Sequence, residues 1–243
     1  MKLIKTKLEG LDFWYRSDDK FVGQRIALGK YEEYETILML SQVKKESVVV
    51  DVGANIGYYT LLLVQKCKKV YAFEPDKECF LILKKNVEEN KLGNVVLINK
   101  AVGDKNEQRA IIKDKSNYGN SRVGEGKGVE CVRLDDVIKE KVDLMKIDVQ
   151  GYEEKVIEGA KKIIKKDKPI LFIECYKKIK FLDNVYRNIF TIDYWFYVCR
   201  KGVQIDKKTG YADLLLTNKS MCFWNRYKNI QWKKVIKDIM GYV

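Results

Sequence analysis

Apolar residues of the central chain fall in short, nearly unbroken runs separated by stretches of helical spacing. Val48–Val52 is apolar at all but one position, and such a run suits a parallel strand buried on both faces. A glycine-bearing turn (Gly53 to Gly57) follows, then a helix from Tyr58 to about Cys67. Val70–Phe73 reads as the next strand, stopped by Glu74-Pro75, with a helix over 77–91 and a third strand over Val95–Asn99. This alternation predicts a doubly wound α/β core with helices on both faces of the sheet. Residues 104–142 break the rhythm: two short β-like runs, Ala110–Lys113 and Glu130–Leu134, flank a polar loop from Lys115 to Gly128. The core resumes with strand Asp143–Val149, helix Glu153–Lys166 and strand Ile170–Cys175. Tyr194–Arg200 and Tyr211–Thr217 read as a closing antiparallel pair.

The flanks differ from the core. Residues 1–30 alternate apolar and polar positions around Gly10 and Gly23, which suggests short strands. From Tyr31 the spacing is helical, with Tyr31, Tyr34, Ile37, Leu38 and Ser41 on one face. Glu32, Glu33 and Glu35 fall in the first turn, where they suit the helix dipole. Residues 226–240 read as an amphipathic helix. With no repeat and no linker, the expectation is one domain: a preamble (1–45), a core (46–217) carrying an insertion (104–142), and a helical tail (218–243).

Composition narrows the chemistry. The chain has 243 residues, enough for one sizeable core, and it contains no His. A Ser-His-Asp or Cys-His arrangement, a His-ligated metal and an imidazole base are therefore excluded. A general base must come from Asp, Glu, Lys, Tyr or Cys. The six cysteines (67, 79, 131, 175, 199 and 222) form no C-x-x-C pair, so neither a zinc site nor a disulfide framework is indicated, and no metal is expected. The N-terminal segment lacks an apolar signal region and no run is long enough to cross a membrane, so a cytoplasmic setting is the default expectation.

Three motifs carry candidate chemistry. The first, Gly53-Ala54-Asn55-Ile56-Gly57, follows a buried strand, where glycine lets the backbone turn tightly against a ligand. It is neither a G-x-G-x-x-G fingerprint nor a P-loop. The second, Glu74, lies 21 residues past Gly53 at the end of the second strand, placed to accept both hydroxyls of a ribose. Together they suggest a nucleoside-containing cofactor without a diphosphate, a description S-adenosylmethionine fits. The third is Lys146-Ile147-Asp148, whose charged residues share one face of a strand. A lysine in a buried strand demands a partner.

The blocks V-D-V-G-A-N-I-G-Y-Y-T, A-F-E-P, L-D-D-V, K-I-D-V-Q-G-Y-E and K-P-I-L-F-I-E-C resemble those of the FkbM family of S-adenosylmethionine-dependent methyltransferases, from about Tyr31 through Thr217. The resemblance implies a class I, Rossmann-like methyltransferase fold with a seven-stranded, mostly parallel sheet. It also implies O-methylation of a hydroxyl on a sugar, glycan or other small natural product. By position, Gly53, Ala54, Asn55 and Gly57 would line the methionine part of the cofactor. Glu74 would hold the ribose, Ala101 and Val102 would flank the adenine, and Asp148 would lie near the methyl group. Gln150 departs from the glutamate common in the family. In the sheet order the resemblance implies, the first, fourth and fifth long strands are adjacent, and Asp51, Lys146, Asp148 and Glu174 would then converge at one sheet edge. Lys146 is then expected to be held charged between carboxylates such as Asp51 and Glu174, and Asp148 to orient or deprotonate the acceptor.

The excess of positive charge, +13, lies largely in runs on helix faces, Lys161–Lys168 and Lys177–Lys180, and in the tail. Such runs are usually solvated faces. Two other uses stay open: a nucleic-acid acceptor, as in ribose 2′-O-methylation with Lys30, Lys146, Asp148 and Glu174 around the hydroxyl, and membrane-surface contact through Trp232, Val235, Ile236, Ile239 and Met240 of the tail. A cofactor-binding protein without turnover is a third class. The polar loop is expected either to cover a hydroxyl-rich acceptor or to be a plain solvated loop.

Overall fold

A computed structural model describes residues 2–114, 118–175, 195–199 and 212–217. The expected tail helix and the lysines at 177–180 lie outside the described residues. The chain opens with a hairpin, β1 (Leu3–Leu8) and β2 (Leu11–Arg16), closed by Glu9 and Gly10, both at positive φ (45° and 83°). Two left-handed residues twist the turn to match the strands. A short helix, α1 (Gly23–Ala27), stands where strand was expected. The Asp19 carboxylate accepts hydrogen bonds from the N–H groups of Phe21, Val22 and Gly23 and so caps it. Next come α2 (Glu33–Gln42), β3 (Val48–Val52), α3 (Tyr58–Val64), β4 (Lys69–Phe73), α4 (Lys77–Glu89) and β5 (Val95–Ile98).

The insertion is more regular than its composition suggests. It forms a small sheet of β6 (Ala101–Val102), β7 (Glu107–Ile112) and β8 (Arg122–Val132) in the order β6-β8-β7. Residues 122–128, read as loop from their glycines, are strand. Pairing with β7 overrides the local preference, and a register shift at Arg109/Ala110 absorbs the irregularity. The chain then runs through α5 (Leu134–Val137), β9 (Leu144–Ile147), α6 (Glu153–Gly159), α7 (Lys161–Asp167), β10 (Ile170–Cys175), β11 (Trp195–Cys199) and β12 (Ala212–Thr217). The single helix expected over 153–166 is broken at Ala160. The cause is remote in sequence: the Asp135 carboxylate of α5 accepts from the N–H groups of Lys162 and Ile163 and caps α7 as a separate helix.

The main sheet runs β11-β12-β10-β9-β3-β4-β5. The five strands from β10 to β5 are parallel, while β12 and β11 extend the edge antiparallel. Strand residues alternate between two cores. Val49, Val70, Ala72, Leu144 and Phe172 pack beneath α3, α4 and the hairpin. Val50, Val52, Met145, Ile147 and Leu171 pack beneath α5, α6 and α7. Asn86 of α4 ties the hairpin down, accepting from Trp14 N at 2.6 Å and donating to Trp14 O at 3.0 Å and Ile56 O at 2.8 Å. No helix among the described residues is long and apolar enough to cross a membrane.

Candidate active site

The site lies at the carboxyl ends of β3, β4 and β9, where open α/β sheets bind ligands. Gly53 ends β3 at φ +81°, and a Cβ there would sit 1.8 Å from the Asp148 carbonyl oxygen. Only glycine lets the two strand ends approach so closely. Asn55 is also left-handed (φ 51°), and Gly57 (φ +98°) starts α3, with Leu83 filling the space a side chain would need.

Glu74 closes the floor. Its two carboxylate oxygens accept from Asn55 N at 2.7 Å and Asp76 N at 2.8 Å. Burial pushes its pKa up to about 8, the largest effect, opposed by those two backbone donors. Asp76 caps α4 through the N–H groups of Glu78 and Cys79, and it pairs with Lys113 at 3.1 Å. Above this floor opens a cleft lined in part by Gly53, Asn55, Glu74, Ile111, Arg122, Asp148 and Gln150. The carboxylate floor fits a nucleoside, whose ribose hydroxyls would donate to Glu74.

Beside the cleft, Lys146 is buried (6% exposed) and lies 3.2 Å from Asp148 Oδ2 and 3.7 Å from Asp51 Oδ1. Burial alone would lower its pKa, but Asp148, then Asp51, Glu32 and Glu174, outweigh that and raise it, so the ammonium stays charged. Asp51 is fully buried; desolvation raises its pKa, while Lys146 and the Thr60 hydroxyl, 2.7 Å away, oppose the rise. Asp148 also accepts from Gln150 Nε2 at 2.9 Å, leaving Gln150 Oε1 buried without a hydrogen bond. Gln150 thus acts as a donor to Asp148, a role glutamate could not fill while ionised.

A family model described as the methyltransferase FkbM domain matches residues 51–199. The chain belongs to the FkbM methyltransferase family. Members of this family take their methyl group from S-adenosylmethionine. The methyltransferase sdnD of Sordaria araneosa is 26% identical over 165 residues, covering 49% of this chain and 62% of the fungal protein. Among solved structures, the FkbM methyltransferase of Methylobacillus flagellatus KT superposes with a TM-score of 0.56 at 20% identity, over 77% of this chain and 50% of that one. A tRNA m1G37 methyltransferase of M. jannaschii gives 0.52 at 17% identity, over 90% of this chain and 57% of that one. At these identities the structures establish the class I methyltransferase fold. This FkbM chain spans 62% of the fungal relative's length and half of the bacterial structure's.

The residues singled out in the sequence separate into three groups. Gly53, Asn55, Glu74 and Asp148 line the cleft. Asp51 and Lys146 stand behind it as an ion pair, with Asp148 also beside Lys146 at 3.2 Å. Glu174 lies on β10 opposite Asp213 and acts on Lys146 through its charge. Ala54, Gly57, Ala101 and Val102 do not line the cleft: Ala54 and Gly57 shape the turn, and Ala101 and Val102 are buried in β6. Of the polar loop, Gly119, Ser121 and Arg122 border this cleft rather than forming a separate cover.

Sequence reasoning missed Glu32. It was placed as a helix-dipole anion, but its left-handed backbone (φ 42°, ψ 43°) accompanies a carboxylate that accepts from Tyr59 Oη at 2.7 Å. Burial raises its pKa most, followed by the charge of Asp148, with Lys146 pulling down. The Tyr58-Tyr59 pair directly after the glycine turn was the available signal.

Proposed function

We propose that this FkbM methyltransferase transfers the methyl group of S-adenosylmethionine to a hydroxyl oxygen of an uncharged, hydroxylated small molecule or glycan. The observation that carries the reading is Asp148, on the rim of the cleft with Lys146 and Gln150 fixing its two oxygens. When bound, the donor supplies an electrophilic methyl on a sulfonium. Gly53 and Asn55 would border its methionine part, and Glu74 would accept its ribose hydroxyls. Asp148 accepts the proton of the acceptor hydroxyl as the new carbon–oxygen bond forms and the carbon–sulfur bond breaks. Lys146 stabilises the ionised Asp148 and fixes its direction. Positioning carries most of the remaining barrier reduction, which suits a site without imidazole.

Labelled donor offered to two pools, glycan precursors and RNA, tests the acceptor class. Label in hydroxylated small molecules is expected; label in RNA alone refutes the reading. Asp148→Asn is expected to lower turnover by about 10²–10⁴-fold, with affinity for S-adenosylhomocysteine within about twofold of wild type. Full turnover of that variant removes Asp148 as the base.

A further inference from the structure

Asp148 stands in the block Asp148-Val149-Gln150-Gly151-Tyr152-Glu153, which ends on an acid outside the cleft. Glu153 is buried, 4% exposed, and no cation pairs with it among the described residues. Burying a carboxylate without a counter-charge is unfavourable, so packing alone does not account for an acid at the start of α6. Its Oε1 accepts from Gly151 N at 2.8 Å. Burial raises its pKa most, the N–H groups of Gly151 and Glu153 oppose the rise, and the charge of Asp148 adds to it. The bond to Gly151 closes a turn in which Gln150 (φ 53°) and Gly151 (φ 95°) are both left-handed. Glycine accepts that conformation, whereas glutamine adopts it only where surrounding contacts fix it. Gln150 donates from Nε2 to Asp148 Oδ1 at 2.9 Å, and its Oε1 is buried without a hydrogen bond. The side chain thus reaches Asp148 from a backbone turn that Glu153 holds. A return of Gln150 to negative φ would swing its amide away, leaving Lys146, 3.2 Å from Oδ2, to orient the carboxylate.

We propose that Glu153 is a positioning residue for methyl transfer: it locks the turn at 150–151, and the locked turn sets the Gln150 amide against Asp148. The inference rests on the reading of Asp148 as the base and adds the group that keeps it aimed. Glu153 does not line the cleft, so it acts through Gln150 and not on the donor or the acceptor. Val156 and Ile157 of α6 are buried in the core beneath the sheet and give Glu153 a rigid base. Methyl transfer demands alignment of the reacting groups, and a misplacement of about 1 Å lowers a rate by about 10²-fold.

Turnover of labelled S-adenosylmethionine by the full chain, with the glycan-precursor pool as acceptor, tests this in a double-variant cycle. Glu153→Ala is expected to lower the rate at saturating donor by about tenfold or more. KM for the donor and affinity for S-adenosylhomocysteine are expected to stay within about twofold. Gln150→Ala is expected to show a similar loss, and the double variant no further loss beyond about twofold. Glu153→Asp, one methylene shorter, guards against misfolding of the alanine variant and is expected to fold and to lose rate in the same way. Isotope-edited NMR of the Gln150 side-chain amide, with S-adenosylhomocysteine bound, gives a readout that needs no acceptor. Its protons are expected to be protected from exchange in wild type and to lose about tenfold or more of that protection in both Glu153 variants. Wild-type rates in both Glu153 variants overturn the proposal, as do losses that multiply in the double variant or an undisturbed Gln150 amide. Absence of label from the glycan pool overturns the acceptor reading alone, and the NMR readout then decides on Glu153. Full turnover by Asp148→Asn overturns the base reading, a result separate from any change at Glu153.

Discussion

Gly53→Ala is expected to damage stability and donor binding together. The alanine must adopt φ near +81°, which costs about 1–2 kcal/mol. Its Cβ would also lie 1.8 Å from the carbonyl oxygen and 2.9 Å from the carbonyl carbon of Asp148. Both atoms are backbone, so no rotamer change relieves the overlap. The ends of β3 and β9 must part, straining the bond from Asp148 N to Val52 O and that from Gly53 N to Phe73 O, each 3.0 Å. Overpacking of this kind adds about 1–3 kcal/mol, giving a total of about 2–5 kcal/mol. Gly151→Ala is the control: it shares a positive φ (95°) but meets nothing within 4 Å, so only the backbone cost of about 1–2 kcal/mol is expected. Urea unfolding followed by tryptophan fluorescence measures both losses, and calorimetry with S-adenosylhomocysteine measures the site. A Gly53→Ala protein that matches Gly151→Ala in stability and retains donor affinity refutes the close-approach reasoning.

Two further outcomes follow from the buried charges. With Glu74 near pH 8, about 1% is ionised at pH 6, so affinity for S-adenosylhomocysteine is expected to rise about tenfold per pH unit from 6 and level off above 8. Glu74→Gln should flatten that profile, and a wild-type affinity constant from pH 6 to 9 would contradict the proposed ribose contact. Because this folded value lies above the ordinary 4.5, Glu74's contribution to ligand-free stability is full below about pH 4.5 and is lost as pH climbs through 8, readable in urea midpoints. Lys146→Met leaves Asp51 buried with only Thr60 as a hydrogen-bond partner and is expected to cost about 3–5 kcal/mol, partly restored by adding Asp51→Asn. A loss below about 1 kcal/mol would show that the pair is not holding this edge of the sheet.

The core strands along the chain, the glycine turn and the placing of Glu74 and Asp148 at strand ends are legible because each depends on short-range pattern; the adjacency of the strands is implied only by the family resemblance. Buried strands read as apolar runs, a left-handed turn requires glycine, and period-two alternation puts Lys146 and Asp148 on one face. Elements governed by distant partners were not legible. Asp135 splits a continuous helical pattern at Ala160, and β7 draws a glycine-rich stretch into β8. One miss is local instead: the Asp19 capping turn winds α1 where alternation suggests strand. Glu32 shows the limit most directly. From its neighbours it reads as a solvent-facing helix anion; only the hydrogen bond from Tyr59 of α3 turns it inward. Local sequence determined the core strands and the residues at their carboxyl ends, because those positions are set by periodicity and backbone conformation. Tertiary structure decided that Asp51 and Asp148 stand beside Lys146 and that Glu32 meets Tyr59, because the free energy of a buried charge depends on groups far away in the chain.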